Sequence, residues 1–396
     1  MDIGRQLHVI VSCAGKFHAF ALVEQLLEHG FEVTFYTPYA SQKTPWLVPF
    51  VGRVDREKIS PKSLRTNFFL ALLIRVMRHK PQKANDWFDA WVSSCLRSIN
   101  ADIFIGWSGM SLQSISTAKS KGMVTVVERS SAHILTQNQI LTKAYLEVLG
   151  LSYGIAPSTI RKEIAEYNLA DFISVPSDFV RNTFTAWGFK PSRIWVNHLG
   201  APANFRFIPK AESNELRLLY VGQLSIQKGV DMLLDVVTNL LKHRAKLTLS
   251  LAGGMDRDFK KLISRRYQEH PKIQFMGFVP NHRLPEIMAW YDLLVVPSRQ
   301  DGFAMVVPQA LQAGLPVLVS NKAGASELVQ EGINGWVMEP TIEAIHVRLN
   351  HCLGNPNELR FLRQNLSQRS RFKDVYSWSR YGYRYAERIR AQFFPL

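Results

Sequence analysis

The chain has 396 residues, enough for two domains that each bury their own core. With 46% hydrophobic and 20% charged residues it reads as a folded globular protein, which excludes a disordered or fibrous chain. A net charge of +16 implies an acidic partner: nucleic acid, an anionic membrane surface or a phosphorylated small molecule.

An apolar run at 7–11 predicts a first strand. Asp2 stands where a basic leader would begin, and the run is too short for a leader's apolar core, so no signal peptide is expected and the sequence reads as cytoplasmic. The tight connection Ser12-Cys13-Ala14-Gly15-Lys16 follows, then Phe20, Leu22, Val23, Leu26 and Leu27 at helical spacing, Gly30 as a stop, and a second strand over 31–36. A strand–helix–strand unit of this kind predicts a parallel sheet. Cys13, Cys95 and Cys352 are odd in number and far apart, with no CxxC pair, so neither a disulfide framework nor structural zinc is expected.

Between Arg53 and Lys83, the basic residues Arg53, Arg56, Lys58, Lys62, Arg65, Arg75, Arg78, Lys80 and Lys83 flank an apolar run from Phe68 to Met77. The run is far shorter than the ~20 residues of a spanning helix. Two readings stay open: a surface helix dipping into an anionic leaflet, or a core helix with a solvated basic flank. Further strands are expected at 103–105, 124–127 and 172–175, with a helix around 160–167. No RNP, zinc-finger or helix-turn-helix pattern occurs, so nucleic acid is not expected.

The pattern restarts after Gly200-Ala201-Pro202-Ala203-Asn204. A strand at 216–221, a loop at 222–229 and a helix at 230–241 lead to strands at 247–251, 273–276, 293–296 and 316–319. The reading is an N-terminal domain over 1–205, a C-terminal domain over 206–375 and a last helical stretch over 376–396 that crosses back. Open parallel sheets bind ligands beyond the carboxyl ends of their strands, so two such domains face one another across a cleft.

The densest chemical signal runs from Val295 to Val317. A buried strand ends at Pro297-Ser298, a turn carries Asp301 and Gly302, and a helix follows with Pro308 in its first turn. Backbone N–H groups at a helix start favour an anion such as a diphosphate, and Gly302 lets backbone approach a ligand.

This segment resembles the signature of glycosyltransferase family 4, in which two glutamates seven residues apart frame an acidic-Gly-Phe turn, with Asp301 and Gln309 at the two glutamate positions. Tyr220-Val221-Gly222-Gln223 to Lys228-Gly229 resembles the family's phosphate site, and Ala252-Gly253-Gly254 and Met276-Gly277-Phe278-Val279 its nucleoside loops. Gly332-Ile333-Asn334-Gly335-Trp336 and Ala170-Asp171 to Ser177 match in order as well.

The resemblance implies an α/β GT-B fold and a retaining, metal-independent transfer from a UDP- or GDP-sugar to a glycan or lipid-linked acceptor. Lys228 would neutralise charge on the diphosphate, and Gln309 would meet the ribose. Asp301 would hold sugar hydroxyls together with the N–H groups of Gly302, Phe303 and Ala304. Gly222, Gln223, Gly253, Phe278 and Val279 would line the donor, and Gly15, with Lys16 and His18 beside it, resembles the family's first glycine loop, which approaches the diphosphate or acceptor. In the N-terminal domain Glu128 or His133 would contact the transferred sugar.

Three positions depart from the pattern: Asp301 and Gln309 replace glutamates, and Gln223 replaces an arginine, with Arg299 as the candidate substitute cation. Because of these departures, a catalytically weak relative serving as a nucleotide-sugar-binding scaffold stays open. A second alternative is a GT-A metal site at Asp256-Arg257-Asp258, though that segment matches a nucleoside loop.

Overall fold

The computed structural model describes residues 5–15, 17–38, 59–77, 81–202, 204–209, 213–267, 269–368 and 377–394. Lys16, Arg53, Arg56, Lys58, Arg78 and Lys80 lie outside them, as does the side chain of Arg75.

The first domain alternates strand and helix: β1 (His8–Ser12), α1 (Ala19–Glu28), β2 (Glu32–Tyr36), β3 (Leu64–Arg65), α2 (Phe68–Val76), α3 (Pro81–Leu96) and β4 (Ile103–Trp107). Then come α4 (Leu112–Ser120), β5 (Val124–Glu128), α5 (Ile134–Leu149), α6 (Pro157–Leu169), β6 (Phe172–Val175), α7 (Asp178–Ala186) and β7 (Ile194–Val196). Its seven strands are parallel, in the order β3-β2-β1-β4-β5-β6-β7. Helices cover both faces, so a central strand such as β4 is buried along its whole length and reads as one apolar run.

The second domain repeats the plan with β8 (Leu216–Val221), α8 (Val230–Lys242), β9 (Leu247–Ala252), α9 (Arg257–Arg266), β10 (Ile273–Gly277), α10 (Leu284–Met288) and β11 (Leu293–Val296). It closes with α11 (Val306–Gln312), β12 (Val317–Ser320), β13 (Gly335–Met338), α12 (Ile342–Gly354) and α13 (Pro356–Gln368). The six strands are again parallel, in the order β10-β9-β8-β11-β12-β13. Both sheets are the doubly wound α/β arrangement that the sequence predicts. Three strands were not anticipated. β3 and β7 have only two and three residues, and β13 carries a glycine where a strand pattern would be apolar.

The last described helix, α14 (Trp378–Phe393), begins at a Ser377 cap and returns to the first domain. There it lies along α1, burying Tyr381, Tyr385, Ala386 and Ile389. Three of its arginines are consumed by packing: Arg384 bonds Asn197 and the His198 carbonyl, Arg388 the Val196 carbonyl, and Arg390 the His29 carbonyl.

Gly382 makes this close approach possible, because a Cβ there would lie 2.4 Å from the Cβ of Gln25 in α1. Gly382→Ala therefore tests the contact by its sign. On an exposed helix the change stabilises by about 1 kcal/mol, whereas overpacking costs ~1–3 kcal/mol. We expect a net loss in chemical denaturation. A gain in stability would show that α14 can lift away from α1 at no cost.

Candidate active site

The carboxyl ends of both sheets open onto one cleft of about 550 Å³. The second domain lines it with Gly222 and Gln223 beyond β8, Lys228 before α8, Ser298 and Asp301 beyond β11, and Gln309 in α11. From the first domain come Phe17, His18 and Ser130. An adjoining hollow of about 450 Å³ sits over the ends of β8, β9 and β10, lined by Gly222, Gln223, Gly253, Phe278 and Val279. Phe278 is 82% exposed there, an apolar ring face available for stacking. Gly253 holds a φ of +152°, and a Cβ would lie 1.7 Å from the Gly222 carbonyl oxygen, so the two strand ends meet only through glycine.

Lys228 and Asp301 form an ion pair, Nζ to Oδ2 at 2.6 Å, in the wall of the cleft. The other carboxylate oxygen of Asp301 accepts from the N–H groups of Phe303 and Ala304 at 3.3 and 3.1 Å. Those two N–H groups were expected to hold sugar hydroxyls; instead they are satisfied within the turn. The turn is strained as well, since Ala304 sits at φ +63° without being glycine. Gln309 is buried and donates to Asn281 at 3.3 Å, so its amide is fixed at the cleft wall.

Arg299 does not supply a cation to the cleft. Its guanidinium grips the buried carboxylate of Asp231 through two bonds of 2.6 Å, and it also donates to the Ile226 carbonyl. A planar fork against a carboxylate is the strongest arrangement available to it, and here it braces the loop that carries Lys228. Among the described residues lining the cleft, Lys228 is the only lysine or arginine.

Gly302 also departs from expectation. A Cβ at this position would lie 1.9 Å from the Ser130 carbonyl oxygen, so the close approach it allows is between the two domains. Neighbouring bonds tie the same seam: Ser177 donates to the Gly302 carbonyl at 2.8 Å, and Gln300 to Ser131 at 2.9 Å.

In the first domain the structure corrects two assignments. His133 is buried, accepts from the Leu135 N–H as the cap of α5, and packs among Tyr167, Phe184, Trp187 and Phe189. It does not line the cleft. Glu128 ends β5 but is buried behind His18, which it meets at 3.0 Å. Gly15 lies in the loop before His18, where a Cβ would strike the Phe17 ring. His18, expected only as a neighbour of Gly15 in the first glycine loop, itself lines the cleft. The available signal was its place just past the first glycine loop, ahead of α1. Asp256 accepts from the Phe259 N–H at 2.7 Å, so the Asp-Arg-Asp segment serves as a helix cap.

Comparison with known proteins agrees with this geometry. Residues 203–371 match the family model of glycosyl transferases group 1. The chain is 28% identical over 228 residues to an uncharacterised glycosyltransferase of Methanocaldococcus jannaschii, covering 56% of each chain. It is 25% identical over 195 residues to a putative colanic acid biosynthesis glycosyltransferase of Salmonella typhimurium, covering 46% of this chain and 48% of that one. The chain thus spans about half the length of the curated relatives it matches. Among solved structures, HepE of Anabaena in complex with UDP and glucose has a TM-score of 0.67 at 16% identity, covering 98% of this chain and 100% of that one. WaaG, a glycosyltransferase involved in lipopolysaccharide biosynthesis, has a TM-score of 0.68 at 20% identity, covering 96% and 99%. The fold is GT-B, and the match to the group 1 glycosyl transferase model falls on the second domain.

The corrected place of His133 carries a pH signature. Burial, with the charge of Arg129, lowers its pKa from 6.5 to about 4. The fold thus favours the neutral ring, and its stabilisation is complete above pH 6.5 and lost as pH falls towards 4. His133→Phe should flatten the stability profile over that window by up to about 3 kcal/mol relative to the parent chain. Parallel denaturation profiles at pH 6.5 and 4 would remove the buried neutral histidine.

Proposed function

We propose that the chain is a retaining glycosyltransferase that moves a sugar from a nucleoside-diphosphate sugar to a glycan or lipid-linked acceptor, in the synthesis of a cell-surface polysaccharide or glycolipid. The observation that carries the reading is the Lys228–Asp301 pair beside the glycine-lined ends of β8 and β9. A diphosphate entering between Gly222 and Lys228 competes with Asp301 for the ammonium group, which frees the carboxylate for a sugar hydroxyl. When the bond from the sugar to the diphosphate breaks, negative charge builds on the leaving phosphate, and Lys228 is the positioned cation that meets it. The nucleoside then extends into the adjoining hollow, its base against Phe278. In this reading Lys228 takes the place of a divalent ion at the leaving phosphate. HepE holding UDP and glucose supports a nucleotide-sugar donor for this cleft architecture.

Two experiments follow. A thermal-shift screen over UDP, GDP, ADP and their sugars should find a stabilising nucleotide. With the sugar donor so identified, Lys228→Ala should lower turnover about 10²-fold or more while leaving the melting midpoint in place. Binding without turnover in the parent chain would favour the scaffold reading. Unchanged turnover in the variant would take Lys228 out of the site.

The lipid-linked acceptor rests on α2. Its Leu70 and Ala71 are buried, but Phe69 is 81% exposed, and Leu72, Leu73 and Val76 are exposed beside it. Lys62, Arg65 and Lys83 are exposed nearby in sequence. An apolar edge rimmed by basic residues suits shallow insertion into an anionic leaflet, each lysine or arginine adding about 1 kcal/mol. Sedimentation with vesicles should therefore require anionic lipid and weaken with salt. It should also fall sharply when Arg75, Arg78, Lys80 and Lys83 become serine. Indifference to anionic vesicles at low salt would point to a water-soluble acceptor.

A further inference from the structure

The cleft contains a histidine held in a fixed state by two buried partners. His18 caps the start of α1 and lines the cleft, yet its ring is almost wholly enclosed. Nε2 lies 3.0 Å from Oε2 of Glu128, and Oε1 of Glu128 accepts from the Tyr385 hydroxyl at 2.7 Å. Glu128 and Tyr385 are both buried. Burial, then the Glu128 carboxylate, holds the Tyr385 phenol well above its ordinary range, so it acts as a donor.

These contacts decide the tautomer. A carboxylate only accepts, so Nε2 carries a proton, and in the neutral ring Nδ1 then presents a lone pair. Nδ1 has no hydrogen-bond partner among the described residues, and it is not sealed in, unlike the indole N–H of Trp107 beside it. An acceptor that faces the cleft and has no protein donor is suited to a hydroxyl of a bound ligand.

We propose that His18 is a substrate-contacting residue whose Nδ1 accepts a hydrogen bond from a hydroxyl of the donor's sugar ring, and that Glu128 and Tyr385 are its positioning residues. This rests on the nucleotide-sugar reading of the cleft. It also gives α14 a part in the site: a residue some 370 positions downstream fixes the ring state of one near the start of the chain.

The test uses the full chain and calorimetry with UDP, GDP, UDP-glucose, UDP-galactose, UDP-N-acetylglucosamine and GDP-mannose. The parent chain should bind one sugar nucleotide more tightly than its free nucleotide. His18→Gln retains a donor for Glu128 but loses the Nδ1 acceptor. It should reduce that sugar-dependent gain about five- to tenfold, the scale of one hydrogen bond, with affinity for the free nucleotide unchanged. In parallel, ¹⁵N-histidine NMR should show His18 protonated at Nε2 in the parent chain. Glu128→Gln and Tyr385→Phe should weaken that tautomer preference without lowering free-nucleotide affinity. Equal binding by parent and His18→Gln, or equal losses for nucleotide and sugar nucleotide, would overturn the contact. Ring signals untouched by both partner variants would overturn the positioning roles. If the parent chain binds none of these ligands, the donor reading itself fails, a result separate from any effect of the variants.

Discussion

The geometry of the cleft depends on one backbone contact, the approach of Gly302 to the Ser130 carbonyl. Two parallel sheets point their carboxyl ends at each other, and something must set the gap between them. Here that is the absence of a side chain at Gly302, reinforced by Ser177 bonding to the Gly302 carbonyl and Gln300 bonding to Ser131. The turn that makes this contact also holds Asp301, so the spacing of the domains and the state of the Lys228 pair are set by the same few residues. Neighbouring hydrogen bonds extend the seam: Glu327 accepts from the Phe179 N–H and meets His198 at 2.9 Å, joining the start of α7 to the second domain.

Electrostatics in the cleft is more balanced than the whole chain suggests. A net charge of +16 could have implied a strongly cationic groove. Instead many arginines serve as structural clamps: Arg299 on Asp231, Arg384 on Asn197, and Arg193 on the carbonyl groups at the end of α6. Arg129, buried between Glu163 and Gln137, is another. Lys228 is matched by Asp301, which lowers the penalty of an ammonium group left waiting in a partly enclosed site.

Much of the architecture was legible because buried parallel strands are written as apolar runs, and β4 and β11 are of that kind. The strands missed were short edge pieces whose pairing is decided by neighbours rather than by their own pattern. The cleft residues of the second domain were legible for a different reason. Gly222, Lys228 and Asp301 sit on loops between regular elements, where glycine and charge stand out against apolar strands, and Gln309 lies in α11 just beyond such a loop. Glu128, His133 and Arg299 were misplaced because residue type and strand end do not reveal direction. Glu128 turns inward to His18, His133 turns into an aromatic cluster, and Arg299 turns back to Asp231. His18 was obscured because its partners come from β5 and α14, far away in sequence.

The route of α14 sets the order in which this molecule can be completed during synthesis. The first domain's groove along α1 and β7 is filled by residues 378–393, with contacts such as Arg390 to the His29 carbonyl spanning 361 positions. A nascent first domain must therefore wait, with that groove unfilled, while the whole second domain is made. Contacts of such long separation close late and slowly. During that interval an apolar strip beside α1 is uncovered on the ribosome, a natural place for a chaperone to hold the chain until its own C-terminal helix displaces it.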